Sequence, residues 1–289
     1  MIVSVASGKG GTGKTLVSTS LALSLRNITL VQLLDCDVEE PNAHILLQPT
    51  LTRRESVSIP IPSVNGRKCS FCGKCAEACA YHAIAVLENQ VLVFPELCHG
   101  CGACGYLCPE KAISEESREV GIVEFGESSG IEFVQGKLNI GEVAAPRVIN
   151  AVKRYGSKEK LVIIDSSPGT SCPVVASVKD TDFCLLVTEP TSFGLHDLNL
   201  AVAMVRSLGI PFGVVINRDG VGDPKVEEYC RSEGIPILLR IPLDIEIARL
   251  YSKGITLVKG MPEWQSAFVR LFDDMRQIVN GVDEMMETH

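Results

Sequence analysis

Apolar positions along the chain follow two periods. Residues 2–6 are apolar and β-branched, 14–25 repeat at helical spacing, and 30–34 are apolar again, which predicts strand, loop, helix, strand and so the start of a βαβ unit. Farther along, short apolar runs at 161–164, 183–187, 212–216 and 237–241 predict buried strands, alternating with helical patterns at 174–179, 195–208, 226–233 and 264–279. Short strands alternating with helices imply an α/β fold: a mostly parallel sheet flanked by helices on both faces.

The alternation breaks between about residues 64 and 116, where Cys, Gly and short helical turns replace it. The expected organisation is therefore an α/β domain over 1–62, an inserted domain over 63–116, and the rest of the first domain over 117–289. The insert repeats itself at a spacing of 29 residues: the run from Cys69 to Ile84 aligns with that from Cys98 to Ile113. A pseudo-twofold pair of halves is expected. The Gly-, Ser- and Glu-rich stretch 124–130 reads as a surface hairpin or loop.

Charge and composition narrow the function classes. A formal charge of −8 without a Lys/Arg cluster argues against non-specific nucleic-acid binding, which depends on basic surfaces that release counterions. No apolar run reaches the ~18 residues of a transmembrane helix, and Met1 leads straight into a strand without an export signal. The acid-rich C-terminal stretch 262–289, with Asp273, Asp274, Asp283, Glu284 and Glu287, is unsuited to an anionic membrane surface. A cytoplasmic location is expected. Of twelve cysteines, eight fall into metal-ligand spacing, which fits a reducing compartment better than a disulfide framework.

Those eight form two ladders of the form CxxCxxCxxxC, at Cys69, Cys72, Cys75 and Cys79 and at Cys98, Cys101, Cys104 and Cys108. Thiolates are soft ligands for iron-sulfur clusters, and this spacing lets three sulfurs converge on one cube while the fourth points away. Zinc also takes paired CxxC elements, but its pairs usually lie a dozen or more residues apart. Over about fifty residues the segment resembles the bacterial two-cluster ferredoxins, with Pro109 after the second ladder as in that family and Ala80 in place of the first proline. The resemblance implies an α+β ferredoxin-like insert with two [4Fe-4S] clusters. One cluster would be held by Cys69, Cys72, Cys75 and Cys108, and the other by Cys98, Cys101, Cys104 and Cys79. The neighbouring His82 and His99 read as exposed bystanders.

Gly8-Lys9-Gly10-Gly11-Thr12-Gly13-Lys14-Thr15 satisfies GxxxxGK[ST] between a predicted strand and helix. Glycines allow backbone N–H groups to surround phosphates, and the helix N-terminus adds positive potential. Lys14 is placed to reach the β- and γ-phosphates of ATP and Thr15 to ligate Mg²⁺. With Lys9 added, the form KGGTGKT resembles the deviant Walker A P-loop ATPases, which include MinD, ParA, the nitrogenase iron protein and the Mrp-type iron-sulfur carriers.

That resemblance implies an ATP-dependent homodimer in which Lys9 touches the partner's nucleotide. It also implies a first switch whose Asp37 orients the attacking water, with Asp35 supporting the metal region, and a Walker B carboxylate at Asp165. Ser166 to Ser171 resembles the second switch, with Ser167 replacing a proline. Asn217, Arg218, Pro242 and Asp244 match the places where the family holds adenine, and Glu189 is left without a role. Cys172 stands at the offset of a shared cluster ligand in the nitrogenase iron protein, but no second cysteine matches. It is therefore expected to be buried or redox-inert, and Cys184 and Cys230 to be core residues. The implied activity is a slow, partner-stimulated ATPase that couples its nucleotide state to electron transfer through two clusters to a partner protein. An Mrp-type carrier delivering clusters to an apo-acceptor is the alternative, and a MinD-like positioning switch ranks last.

Overall fold

The computed structural model describes residues 1–287 apart from 221 and 223, and side chains through residue 281. Eleven strands are formed: β1 Ile2–Ala6, β2 Val31–Cys36, β3 Thr50–Val64, β4 Ile84–Val86, β5 Val91–Val93, β6 Ile113–Ser128, β7 Ile131–Leu138, β8 Leu161–Ser166, β9 Phe183–Thr188, β10 Phe212–Asp219 and β11 Ile237–Pro242. Nine of them make one sheet in the order β11-β10-β9-β1-β8-β2-β7-β6-β3. From β11 to β7 every pairing is parallel, and β6 and β3 are added antiparallel at one edge.

Side chains alternate across the sheet, so each parallel strand feeds two cores. Val3, Val5, Leu33, Ile163 and Leu185 face a cluster closed by the helix Lys14–Leu25 and the C-terminal helix Gln265–Glu287, through Phe268, Leu271 and Met275. On the opposite face Leu34, Val162 and Ile164 pack against the helix Ala145–Lys153, while Leu186, Val214 and Ile216 pack against Ser192–Ser207. Every residue of Lys14–Leu25 is buried, including its serines and threonines. Three of these hydroxyls bond back into the helix, Ser18 Oγ and Thr19 Oγ1 to Thr15 C=O at 3.2 and 2.6 Å and Ser24 Oγ to Ser20 C=O at 2.8 Å, while Ser20 Oγ has no partner among the described residues.

β3 and β6 pair along their whole length, from Thr50↔Glu127 to Val64↔Ile113, but β6 joins β7 only from Gly121 onward. The far half of the hairpin is therefore a two-stranded arm, and residues 65–112 sit at its end. As the sheet's outer edge, β3 carries Arg53, Arg54, Pro60 and Pro62, the charges and prolines that discourage pairing with another chain.

Of the hairpin or loop expected at 124–130 the structure forms the hairpin: residues 124–128 are strand, paired antiparallel with β7, and only Ser129 and Gly130, at φ 54° and 80°, make the turn. Other expectations require correction. β3, β6, β7 and the helix Ala145–Lys153 were not anticipated; β3 lies half in solvent, so its pattern lacks an apolar run. The predicted helix at 264–279 begins after a 3₁₀ turn, Pro262–Trp264, and extends to Glu287. Of the acidic residues in that tail, the side chains of Asp283, Glu284 and Glu287 lie outside the described ones. No described helix is long and apolar enough to cross a membrane.

Candidate nucleotide and cysteine sites

β1 ends at Ala6 and the chain loops through residues 7–13 before the helix starts at Lys14. Gly13 has φ +99°, and a Cβ there would lie 2.3 Å from Asn217 Nδ2, so only glycine fits. Asn217 Nδ2 in turn donates to Thr12 C=O at 2.7 Å, tying the loop to the end of β10. The loop borders a cleft of about 1090 Å³, its open mouth included, whose floor is Lys14, Thr15 and Asp37. It opens beyond the carboxyl ends of parallel strands, where α/β sheets bind ligands.

Three carboxylates stand at this edge. Asp35 and Asp165 are in register on β2 and β8 and fully buried. Asp35 accepts the N–H of Asp37 at 3.1 Å and of Ala43 at 3.0 Å, so it shapes the segment after β2. Burial, with Asp165 adding, pushes its carboxyl well above the usual range. Neither oxygen of Asp165 has a hydrogen-bond partner among the described residues. Burial raises Asp165 to about 6, opposed by the Lys14 ammonium and by the nearby Thr15 and Ser18 hydroxyls, which stop short of closing a hydrogen bond. Asp37 lines the cleft and is raised to about 7, again by burial, with Lys14 opposing and Asp165 adding. A buried, under-coordinated carboxylate beside a lysine and a threonine hydroxyl is a site prepared for additional positive charge.

Lys9 points away from that floor. Its Nζ is 3.5 Å from Glu189 Oε1, and Glu189 Oε2 accepts from Arg218 Nη1 at 3.1 Å. Arg218 Nη2 also donates to Gly11 C=O at 3.2 Å. Glu189, which the sequence left without a role, therefore gathers both cations at the end of β9. Lys9 is 32% exposed, and at such sites an ion pair contributes only about 0–1 kcal/mol, so its release toward another chain is inexpensive.

At the far end of the cleft lie Arg218, Pro242, Leu243 and Asp244, with Tyr251 from the helix Ile245–Ser252. Asp244 caps that helix, accepting the Glu246 N–H at 2.7 Å. Tyr251 was not singled out in the sequence; nothing but its place on the helix brings it to the cleft. Ser167 Oγ donates to Cys36 C=O at 3.1 Å and Gly169 N–H to Ser7 C=O at 2.9 Å, so residues 166–171 touch both the end of β2 and the phosphate loop.

In residues 65–112 the repeat is physical. The short helices Lys74–Glu77 and Ala103–Tyr106 correspond, as do N–H donors to sulfur: Phe71 to Cys69 and Gly100 to Cys98, both 3.4 Å, and Ala83 to Cys79 and Ala112 to Cys108, both 3.3 Å. Two pockets result, of about 440 Å³ and 350 Å³ with the open space at their mouths included. Cys79, Cys98, Cys101 and Cys104 line the first, with Pro60 and Pro62 of the arm, and Cys69, Cys72, Cys75 and Cys108 line the second. Burial raises the thiols of Cys75 and Cys104. Among the described residues no group of three or more His, Cys, Asp or Glu side chains converges to hold a single metal ion.

A family model for the CobQ/CobB/MinD/ParA nucleotide-binding domain matches residues 3–258. The chain belongs to that family. It is 32% identical over 264 residues to the uncharacterized protein MJ0579 of Methanocaldococcus jannaschii, covering 90% of this chain and 92% of that one. It is 24% identical over 303 aligned residues to the iron-sulfur cluster carrier protein of Aquifex aeolicus, covering 97% of this chain and 68% of that protein. Among solved structures it shares the fold of the septum site-determining protein MinD of Pyrococcus horikoshii complexed with Mg-ADP, with TM-score 0.58, 20% identity and coverage of 99% and 96%. The family match accounts for the phosphate loop and the sheet edge around it.

Cys172 is exposed at the start of the helix Cys172–Val178 and not buried, whereas Cys184 and Cys230 are buried in the core as expected. His99 is half-buried instead of exposed: it lines the larger cysteine pocket and stacks on Tyr81 with ring centroids 3.7 Å apart, while His82 is exposed.

Proposed function

We propose that the chain is an ATP-hydrolysing iron-sulfur carrier that uses its nucleotide state to control delivery of a cluster to an acceptor protein. The observation carrying this reading is the pair of four-cysteine cavities on an arm of the same sheet whose edge forms the nucleotide cleft. Two repeated CxxCxxCxxxC ladders, each sharing one cysteine with the other's pocket, suit a multi-atom [4Fe-4S] group better than the single ion of a zinc site. The similarity to the iron-sulfur cluster carrier protein of Aquifex aeolicus supports the same reading.

In the cleft, Lys14 would neutralise the β- and γ-phosphates and Thr15 would ligate Mg²⁺, with Asp165 behind it. Asp37 would hold the attacking water, its raised carboxyl able to take a proton near neutral pH. Lys9, loosely held by Glu189, would reach the nucleotide of a second copy in an ATP-dependent dimer. On the arm, Cys69, Cys72, Cys75 and Cys108 would hold one cluster and Cys98, Cys101, Cys104 and Cys79 the other. Bound there, the clusters supply one-electron chemistry or are themselves the cargo.

One observation favours a second reading, electron transfer to a redox partner with the clusters retained. Each cavity draws cysteines from both ladders, an enclosure that resists release. Incubating loaded protein with an apo-acceptor and then counting iron on both proteins separates the two. Iron moving to the acceptor supports the carrier reading, and iron retained while electrons pass supports the other.

A further inference from the structure

Arg118 sits on the half of β6 that leaves the sheet, across from Ile59 of β3. Its Nη2 lies 2.6 Å from Glu142 Oε1 and 3.7 Å from Glu96 Oε1, and its Nη1 is buried without a hydrogen-bond partner among the described residues. The two carboxylates belong to different parts of the molecule. Glu142 is in the loop after β7, which is stitched to the residues following Asp37: Leu138 N–H donates to Val38 C=O at 2.8 Å, and Glu142 N–H to Asn139 C=O at 3.2 Å. Asn139 N–H also donates to Val120 C=O at 2.9 Å, fixing this loop to the base of the arm.

Glu96 is in the 3₁₀ turn Pro95–Leu97, and Cys98 N–H donates to Pro95 C=O at 3.2 Å. The turn thus delivers the first cysteine of the second ladder. Two residues on, a Cβ at Gly100 would stand 3.1 Å from Pro60 and 3.2 Å from Ile59, so the ladder's loop is pressed on the arm directly opposite Arg118. The other cavity borders Val64 and Ile113 at the arm's far end. One cysteine site is therefore near the nucleotide sheet and the other remote from it.

We propose that Arg118 is the positioning residue through which movement of the Asp37–Val38 segment on nucleotide binding reaches the near cysteine site, that of Cys79, Cys98, Cys101 and Cys104. The inference rests on the nucleotide-controlled reading above. A guanidinium is suited to the task because one nitrogen, Nη2, is hydrogen-bonded to Glu142 and ion-paired with Glu96, while Nη1, without a partner among the described residues, is an unused donor for a second arrangement. Pulling Glu142 by way of Val38 and Leu138 shifts the guanidinium, and with it Glu96 and the turn before Cys98. The near site responds and the far site does not.

The test is amide hydrogen exchange over residues 94–101 in anaerobically loaded full-length protein, with and without a slowly hydrolysed Mg·ATP analogue, alongside EPR of the reduced protein. The wild type is expected to change exchange there about fivefold or more, the lower end of ordinary allosteric coupling, and to shift one of two cluster signals. Arg118→Ala is expected to keep iron content and nucleotide binding while losing both responses. Glu96→Gln, on an exposed side chain, is expected to do the same if Arg118→Ala does not fold. Full responses in either folded variant overturn the role of Arg118 while leaving the nucleotide-controlled reading intact. A wild type indifferent to nucleotide in both readouts overturns that reading and the inference together.

Discussion

Asp35 and Asp165 stand side by side on β2 and β8, both fully buried, yet among the described residues only Asp35 has hydrogen-bond partners. The pair divides the work of the sheet edge: one carboxylate is consumed in shaping the loop that presents Asp37, and the other is left open toward Lys14 and Thr15.

That division has a pH signature. Asp37 and Asp165 ionise near 7 and 6 in the folded chain against an ordinary 3.8, so between about pH 4 and 7 the folded state holds more protons than the unfolded one. Their contribution to stability is therefore complete in acid and is lost as pH rises through these values. Melting of the metal- and nucleotide-free protein is expected at a lower temperature at about pH 7.5 than at about pH 5.5, with Mg·ATP narrowing the difference and its binding releasing protons. Calorimetry in buffers of different ionisation enthalpy checks the release, and a melting temperature that rises with pH in the free protein contradicts it.

Asp37→Asn keeps the shape of the cleft but removes the group placed for the water. Hydrolysis is expected to fall about 100-fold with ATP affinity within a few-fold of wild type. Single-turnover assays and equilibrium dialysis read the two separately, and hydrolysis at the wild-type rate removes Asp37 from the chemistry.

Gly13→Ala introduces a Cβ where Asn217 Nδ2 already lies and at a backbone φ of +99°. Backbone strain of about 1–3 kcal/mol and the broken Asn217–Thr12 bond are expected together. Both a lower melting temperature and lost nucleotide binding should follow; unchanged binding would mean the loop has another way to fold.

The parallel core was legible because each strand is buried on both faces and so reads as an apolar run; 183–187 is such a run, and β9 is buried throughout. β3 was not, because a strand with one wet face and no apolar run gives no such signal, and β6 carries only the short buried run 120–123 within an otherwise polar strand. Within the candidate sites, the phosphate loop, the cysteine ladders and the strand-end aspartates are local motifs, so the sequence alone displays them. Glu189, Tyr251 and His99 act through partners more than a dozen residues away, and only the tertiary structure supplies those. Cys172 was misjudged because its position one residue into a helix at the sheet edge, rather than its apolar neighbours, decides its exposure.

The crossed lining of the cavities is directly testable. Cys108→Ser lies in the second ladder but borders the cavity of the first, and Cys79→Ser the reverse. Each is expected to disturb the cluster of the opposite ladder and to leave the other's EPR signal intact. Loss confined to the variant's own ladder contradicts the arrangement.

The central claim is that nucleotide in the cleft controls what leaves the cysteine sites. Its most direct measurement is the rate of cluster transfer from loaded protein to an apo-acceptor, with Mg·ATP, with Mg·ADP and without nucleotide, in the wild type and in Lys14→Ala. Transfer that differs by about tenfold or more between nucleotide states in the wild type, and not at all in Lys14→Ala, is the expected result. Equal rates under all conditions in both proteins would contradict it.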